Sequence, residues 1–502
     1  MADLNVLIHA IETVLSWPGI ALIALGVVIG IIGGGLPGVG GALTLAIATP
    51  FTLQMGAVNA IIFLIGIYNG VMYGGSISAI LFNVPGSASA AATTLEGYPM
   101  AREGRAVDAL TISAVSSSIG DFLGGVAVLA ILPVLVSVVL MFGTPEYFLV
   151  AVLGLSLIII VSEGSFLKDV MAGGFGVMLA TVGVAPMLPV QRYTFGQLGL
   201  YNGISFVAAL IGIFAVSEML RLSKQGGAIS RGGAVDIGGS VRSGIRTVLA
   251  KPITLVKSSV IGLLIGAVPG SGGSVSTFIA YGEAKRASKN PEKFGDGAEE
   301  GIVATESSNN ATVSGSLIPT LTFGIPGSTT TAVLIGALML HGIRPGPALF
   351  GAQINLTYSI FVTLIVCSFV ILALGLLVVR WAGYLTTVNT SIIIPIIIVL
   401  SVLGAFSLNS NYFDVFVVLT LGIIGYFMES YDYSLVAFLL GLILGPIAEE
   451  NLSRSLSLSN GSFDIFFATP LRLFLVVATV VIIVGPYIGP ALKKQFNSIT
   501  EA

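Results

Sequence analysis

Two Pro-Gly-x-Gly-Gly turns interrupt long apolar stretches of this chain, Pro37-Gly38-Val39-Gly40-Gly41 and Pro269-Gly270-Ser271-Gly272-Gly273. Each is followed by a second break, Pro85-Gly86-Ser87 and Pro326-Gly327-Ser328. Proline removes a backbone donor and disrupts a helix, and glycine accepts positive φ and close backbone approach. In hydrocarbon every unpaired backbone group is costly, so broken helices persist only where they are buried in protein or line a polar cavity. Paired breaks at corresponding places in two halves point to the binding site of a secondary transporter.

The surrounding sequence fits a membrane. Only 9% of the 502 residues are charged, against about 25% in a soluble domain, so the chain is an all-α polytopic membrane protein. Apolar runs long enough for spans or half-spans lie near 17–36, 41–52, 57–82, 109–141, 146–162, 169–189 and 203–220, then 253–268, 273–282, 301–341, 354–379, 390–407, 412–428, 433–448 and 465–490. They imply about 10–12 transmembrane helices, counting broken pairs as one. The polar stretch 221–252, with Arg221, Lys224, Arg231, Arg242, Arg246 and Lys251, reads as a cytoplasmic linker between a first half, 1–220, and a second half, 253–502. A net charge of −3 and loop-bound Lys and Arg give no sign of nucleic-acid binding. The lone Cys367 cannot form an internal disulfide, and no Lys or Arg precedes the first apolar run as a signal peptide would require.

The halves align. Ile29-Gly30, Gly34 and Pro37 match Ile261-Gly262, Gly266 and Pro269 at 269−37=232, while Asn69, Gly74 and Pro85 match Asn310, Gly315 and Pro326 at 326−85=241. The nine extra residues fit one insertion, the charged loop Glu283–Gly297. Lys251, Lys257, Lys285, Arg286, Lys289 and Lys293 flank 258–282, as expected for a re-entrant hairpin opening to the cytoplasm. The counterpart in the first half has no Lys or Arg before Arg102. The fold expected is therefore two homologous, inverted repeats with re-entrant hairpins or broken helices.

The breaks supply the chemistry. Carbonyls freed at Pro37, Gly38, Gly40, Gly41, Pro269, Gly270, Gly272 and Gly273 are candidate Na⁺ ligands, and amides that open the next half-helix are candidate carboxylate ligands. Gly86 and Ser87, Gly327, Ser328, Thr329 and Thr330, with Ser271, form the expected substrate surface, and Asn69 and Asn310 add amide contacts. The hydroxyl residues read equally as helix caps and as close-packing residues. Glu306 and Asn309 are hard-oxygen candidates for Na⁺, with Glu306 alternatively carrying a proton or continuing Glu299-Glu300 at the interface. Asp121 is either a pathway residue or a cap at Gly120. His9 and His341 lack metal-ligand company, and no phosphate-binding Gly-x-x-x-x-Gly-Lys motif occurs. No cofactor is expected, and the coupling ion is left as Na⁺ or H⁺. An intramembrane enzyme would need a buried base beside a serine, and none is evident, so the chain is not read as an enzyme.

The blocks Gly35-Leu36-Pro37-Gly38-Val39-Gly40-Gly41, Tyr73-Gly74-Gly75-Ser76-Ile77, Leu95-Glu96-Gly97-Tyr98-Pro99-Met100-Ala101-Arg102, Gly301–Ala311, Gly324-Ile325-Pro326-Gly327-Ser328 and His341-Gly342-Ile343-Arg344-Pro345-Gly346-Pro347 resemble the large membrane subunit of the tripartite tricarboxylate transporters. Thr305 stands where that pattern often has proline. The resemblance implies a bacterial inner-membrane permease importing carboxylates such as citrate by symport. It implies two partners, a small membrane subunit of about four spans and a periplasmic solute-binding protein. Coupling to Na⁺ or H⁺ follows from it, as does an elevator motion by analogy with other two-repeat carboxylate carriers. The alternative is a passive anion channel, or an ion exchanger, working without a binding protein.

Overall fold

A computed structural model describes residues 2–36, 38–158, 165–185, 190–225, 238–270, 272–379 and 390–484. Pro37 and Ser271, the middle of the linker and the C-terminal lysines lie outside the described residues. The chain divides into two compact units. The larger comprises Met1–Val139, Val207–Thr322 and Pro326–Tyr426, and the smaller Leu140–Phe206, Phe323–Ile325 and Phe427–Ala502.

The larger unit opens with α1 (Ala2–Leu15), α2 (Trp17–Gly35), α3 (Gly40–Ala48), α4 (Ala57–Phe82), α5 (Thr94–Arg102) and α6 (Ala106–Val139). The smaller unit holds α7 (Thr144–Ser156), α8 (Phe166–Ala180) and a short antiparallel pair, β1 (Gly183–Val184) with β2 (Gln191–Arg192). Lys168 and Asp169 sit in the first turn of α8, and Asp169 accepts from the Ser434 amide at 3.2 Å. The chain continues through α9 (Phe206–Lys224, with a π-helical stretch at Ile211–Val216), α10 (Val241–Leu249), α11 (Pro252–Gly266), α12 (Gly272–Ala287), α13 (Glu299–Phe323) and α14 (Thr329–Leu340). Then come α15 (Ile354–Val378), α16 (Thr390–Asn409), α17 (Tyr412–Ser430), α18 (Leu435–Leu458) and α19 (Pro470–Val484).

Among the described residues eight helices are long and apolar enough to span a membrane, or nine if α10 and α11, bent by 78°, make one span. The shortfall against the expected ten to twelve has a local cause. Each break leaves half-helices such as α3 and α14 too short to count, and α13 carries too many amide and hydroxyl groups to score as apolar. Helix starts follow the sequence: Ser16 accepts from Gly19 N, with Pro18 in the first turn of α2, and Ser328 and Thr331 form a capping box on α14.

Two pairs of helices in the larger unit are held backbone against backbone. A Cβ placed on Gly30 of α2 would lie 2.3 Å from the Ile67 carbonyl of α4, and one on Gly74 would lie 2.5 Å from the Ile31 carbonyl. The same contacts recur between α11 and α13: Gly262 against Ser308 at 2.3 Å, and Gly315 against Leu263 at 2.2 Å. The offsets are those of the sequence alignment, 262−30=232 and 308−67=241. Only glycine permits such an approach, which replaces side-chain interdigitation by broad main-chain contact. Residues Ala60–Leu81 of α4 and Gly301–Leu317 of α13 are all buried, so the polar groups of these two helices are sheathed in protein.

Candidate functional site

The glycine turns take matched conformations. Gly38 and Gly270 have φ of 83° and 76°, and Gly40 and Gly272 both have 61°, in the left-handed region that favours glycine. These turns lie between α2 and α3 and between α11 and α12. Each then meets the second break of the other half. A Cβ on Gly41 would lie 2.6 Å from Thr330 Oγ1, and one on Gly273 would lie 2.6 Å from Ser89 Cβ. Positions 89 and 330 differ by 241, and 41 and 273 by 232, so the contact is reciprocal. The Gly272 amide donates to the Gly327 carbonyl at 3.2 Å, and Gly86 lies near Gly40 and donates to the Gly75 carbonyl at 3.1 Å.

Hydroxyls cluster at the second breaks. Ser87 Oγ is 3.0 Å from Ser89 Oγ. Ser328 Oγ accepts from the Thr331 amide at 3.2 Å and shares the Tyr68 hydroxyl, also at 3.2 Å, while Tyr68 reaches Ser316 at 3.0 Å. Ser87, Ser328 and Thr329 are half-buried and Thr330 is buried. Tyr68 is a member of this cluster that sequence reasoning passed over, because an aromatic in an apolar helix reads as core.

The amide residues are entirely enclosed. Asn69 donates from Nδ2 to the Ile65 carbonyl at 3.0 Å, and its Oδ1 has no partner. Asn309 donates to the Met72 carbonyl at 3.1 Å; its Oδ1 and both polar atoms of Asn310 have no partner among the described residues. Buried polar groups are normally hydrogen-bonded, so these open valences on α4 and α13 stand out among the described residues.

Glu306 is wholly buried. Its Oε1 accepts from Thr93 Oγ1 at 2.5 Å, and its Oε2 from Ser113 and Ser117 of α6 at 2.8 and 2.9 Å. The carboxyl is caged by hydroxyls drawn from the end of the second break and from α6. Among the described residues its hydrogen-bond partners do not come from the glycine turns, with which the sequence had grouped it. The hydroxyl-rich run Thr111–Ser118 was the signal available for this cage.

Comparison with known proteins adds a decisive observation. The model of the tripartite tricarboxylate transporter TctA family matches residues 20–440. The chain belongs to the TctA family. An uncharacterized 52.8 kDa protein from the TAR-I ttuC' 3' region of Agrobacterium vitis is 36% identical over 490 residues, covering 97% of each chain. A second uncharacterized protein, from the TAR-II ttuC' 3' region of the same organism, is 36% identical over 211 residues, 42% of this chain and 87% of its own length. No solved structure gives a significant match.

In this TctA-family chain the Leu95–Arg102 block has a structural task. Glu96 is fully buried and accepts from the Tyr281 hydroxyl at 2.7 Å and from the amides of Gly295, Gly297 and Ala298 at 2.6, 2.9 and 2.6 Å. One carboxylate thereby fixes the end of the inserted loop and the entry to α13, the helix that carries Glu306 and Asn310. A cation also stands nearer the breaks than the sequence suggested. A Cβ on Gly38 would lie 2.9 Å from Glu218 Oε1, and Glu218 takes two hydrogen bonds from Arg221 at 2.8 and 2.6 Å. His341, read as a lone loop histidine, is 2.8 Å from Thr52 Oγ1 through Nε2.

Proposed function

We propose that this TctA-family subunit is an ion-gradient-driven carrier that imports carboxylates, either tricarboxylates such as citrate or related di- and monocarboxylates, across the bacterial inner membrane. It works with a small membrane subunit of about four spans and with a periplasmic solute-binding protein that delivers the substrate. The observation that carries this reading is the reciprocal contact of the four breaks, Gly41 on Thr330 and Gly273 on Ser89. Reciprocity of that kind fits two repeats related by a two-fold axis, the inverted arrangement inferred from charge placement.

Substrate carboxylates are held by amides and hydroxyls at Gly86, Ser87, Ser271, Gly327, Ser328, Thr329 and Thr330, with Asn69 and Asn310 behind them. Helix N-termini at the second breaks favour anions, and coupling cations offset the remaining charge. The cycle moves the paired breaks between the two sides of the membrane as a unit, in the elevator manner. The test is uptake of labelled carboxylates into proteoliposomes holding this chain, its small subunit and its binding protein. Accumulation above equilibrium that needs both an ion gradient and the binding protein is expected. Uptake that only equilibrates, with or without a gradient, would establish a passive anion channel instead.

A further inference from the structure

Asp121 is a carboxylate that the proposed substrate surface does not use. It lies in the buried part of α6, is 0% exposed, and neither of its oxygens has a hydrogen-bond partner among the described residues. No Lys, Arg or His is paired with it there. A buried carboxylate is normally paired, hydrogen-bonded or bound to a metal, and an ionisable residue within a membrane domain is a functional candidate by default.

The register of α6 against α13 indicates what stands opposite. Ser117 donates to Glu306, a Cβ on Gly120 would meet the Ser307 carbonyl at 2.3 Å, and one on Gly124 would meet Ser314 Oγ at 2.9 Å and Ala311 Cα at 3.2 Å. The helices therefore run side by side in the same direction. By helical repeat Asp121 follows Ser117 by one turn on α6 as Asn310 follows Glu306 by one turn on α13, which carries the pairing of Ser117 with Glu306 on to Asp121 and Asn310. Both polar atoms of Asn310 and the Oγ of Ser314 also lack partners, and both residues are 0% exposed. The same helix also meets α15, where a Cβ on Gly125 would lie 2.9 Å from Ile365 Cγ1. Glu306 belongs to a different class, since its oxygens are already occupied by three hydroxyls.

We infer that Asp121, Asn310 and Ser314 form a Na⁺ site between α6 and α13, distinct from the glycine turns at which the coupling cation was first expected. A carboxylate, a carboxamide oxygen and a hydroxyl are the hard oxygen donors that such a cation takes. One proton on Asp121 would satisfy at most one neighbour, whereas a multiply coordinated cation draws on all three residues at once. Its charge also compensates the carboxylate in a place where no basic side chain does. The inference rests on the carrier reading only for the purpose of the site, not for its existence.

The experiment measures Na⁺-dependent thermal stabilisation of the purified full-length chain, with choline replacing Na⁺ at constant ionic strength. The same variants are then assayed for Na⁺ dependence of carboxylate uptake with both partners present. Wild type is expected to be stabilised by Na⁺ and Asp121→Asn to lose that response. Ser314→Ala, which removes one ligand, is expected to raise the half-saturating Na⁺ concentration by about tenfold or more; it also serves as the deciding variant if Asp121→Asn does not insert. An unchanged Na⁺ response in either correctly inserted variant would overturn the site, as would stabilisation of wild type by protons but not by Na⁺. Loss of the Na⁺ response in a protein that moves no carboxylate would uphold the site and remove the carrier reading. Equal Na⁺-driven uptake by wild type and Asp121→Asn would do the reverse.

Discussion

Thr330 packs directly onto Gly41, so closely that a Cβ on the glycine would stand 2.6 Å from the threonine hydroxyl. Its counterpart, Ser89 over Gly273, has the same spacing. Each half thus seals the other's glycine turn with the small hydroxyl residue that follows its own second break.

Gly273→Ala should be destabilising by about 1–3 kcal/mol, the range for overpacking a filled site, and should lower carboxylate uptake. Ser89→Gly removes the Cβ that the new methyl would strike. The double variant should therefore recover stability beyond the sum of the single effects. A double-mutant cycle of melting temperatures in detergent checks this. Strict additivity would mean that the two residues do not press on each other.

Thr93→Val removes the donor to Glu306 Oε1 and should cost about 1.5–3 kcal/mol, the range for a hydrogen bond to a charged group. Ser113→Ala and Ser117→Ala each leave one donor on Oε2 and should cost less. Thermal unfolding of the three variants, measured side by side, gives the ranking. A Thr93→Val protein as stable as wild type would show that the cage does not hold the carboxyl.

Glu96→Ala should release the loop before α13. Three backbone amides and the Tyr281 hydroxyl lose their common acceptor, at about 1–3 kcal/mol for each group left unsatisfied. Hydrogen exchange at Gly295, Gly297 and Ala298 should speed up sharply, with cleavage by added protease appearing in the same loop. Exchange rates indistinguishable from wild type would refute the anchoring role.

In the smaller unit, Arg472 donates to Glu146 at 2.6 Å, and Glu146 also accepts from the Gly143 amide at 3.0 Å as the cap of α7. Glu146 is only 3% exposed, so Arg472→Met leaves a buried charge without its partner. The expected loss is about 3–5 kcal/mol. Replacing both residues by apolar ones should recover part of it, which melting temperatures of the single and double variants would reveal.

Local residue chemistry made much of this protein legible in advance. The Pro-Gly pairs announced the breaks because no other residues interrupt an apolar helix so economically, and the positive φ values at Gly38, Gly40, Gly270 and Gly272 follow from that choice. The matched spacing of Asn69 and Asn310 singled out two corresponding amides, and both are buried on central helices. Tyr68, Ser113 and Ser117 were not singled out, because hydroxyls in apolar helices look alike whether they face lipid, a neighbouring helix or a carboxylate. Glu96 sat in plain view within a recognised block, yet its four donors come from residues about two hundred positions away.

The sequence by itself determined that the chain is a helical membrane protein of the TctA type, where its helices break, and which residues correspond across its two halves. Those properties depend on hydropathy and backbone preference, which act over a few neighbouring residues. Tertiary structure decided which carboxylates are satisfied and which are left open. Glu306 and Asp121 are both buried acids in central helices, but among the described residues three hydroxyls meet one and none meets the other. That difference arises from the register between α6 and α13, set by glycines that let the two backbones touch, and helix register is a long-range property that no local pattern encodes.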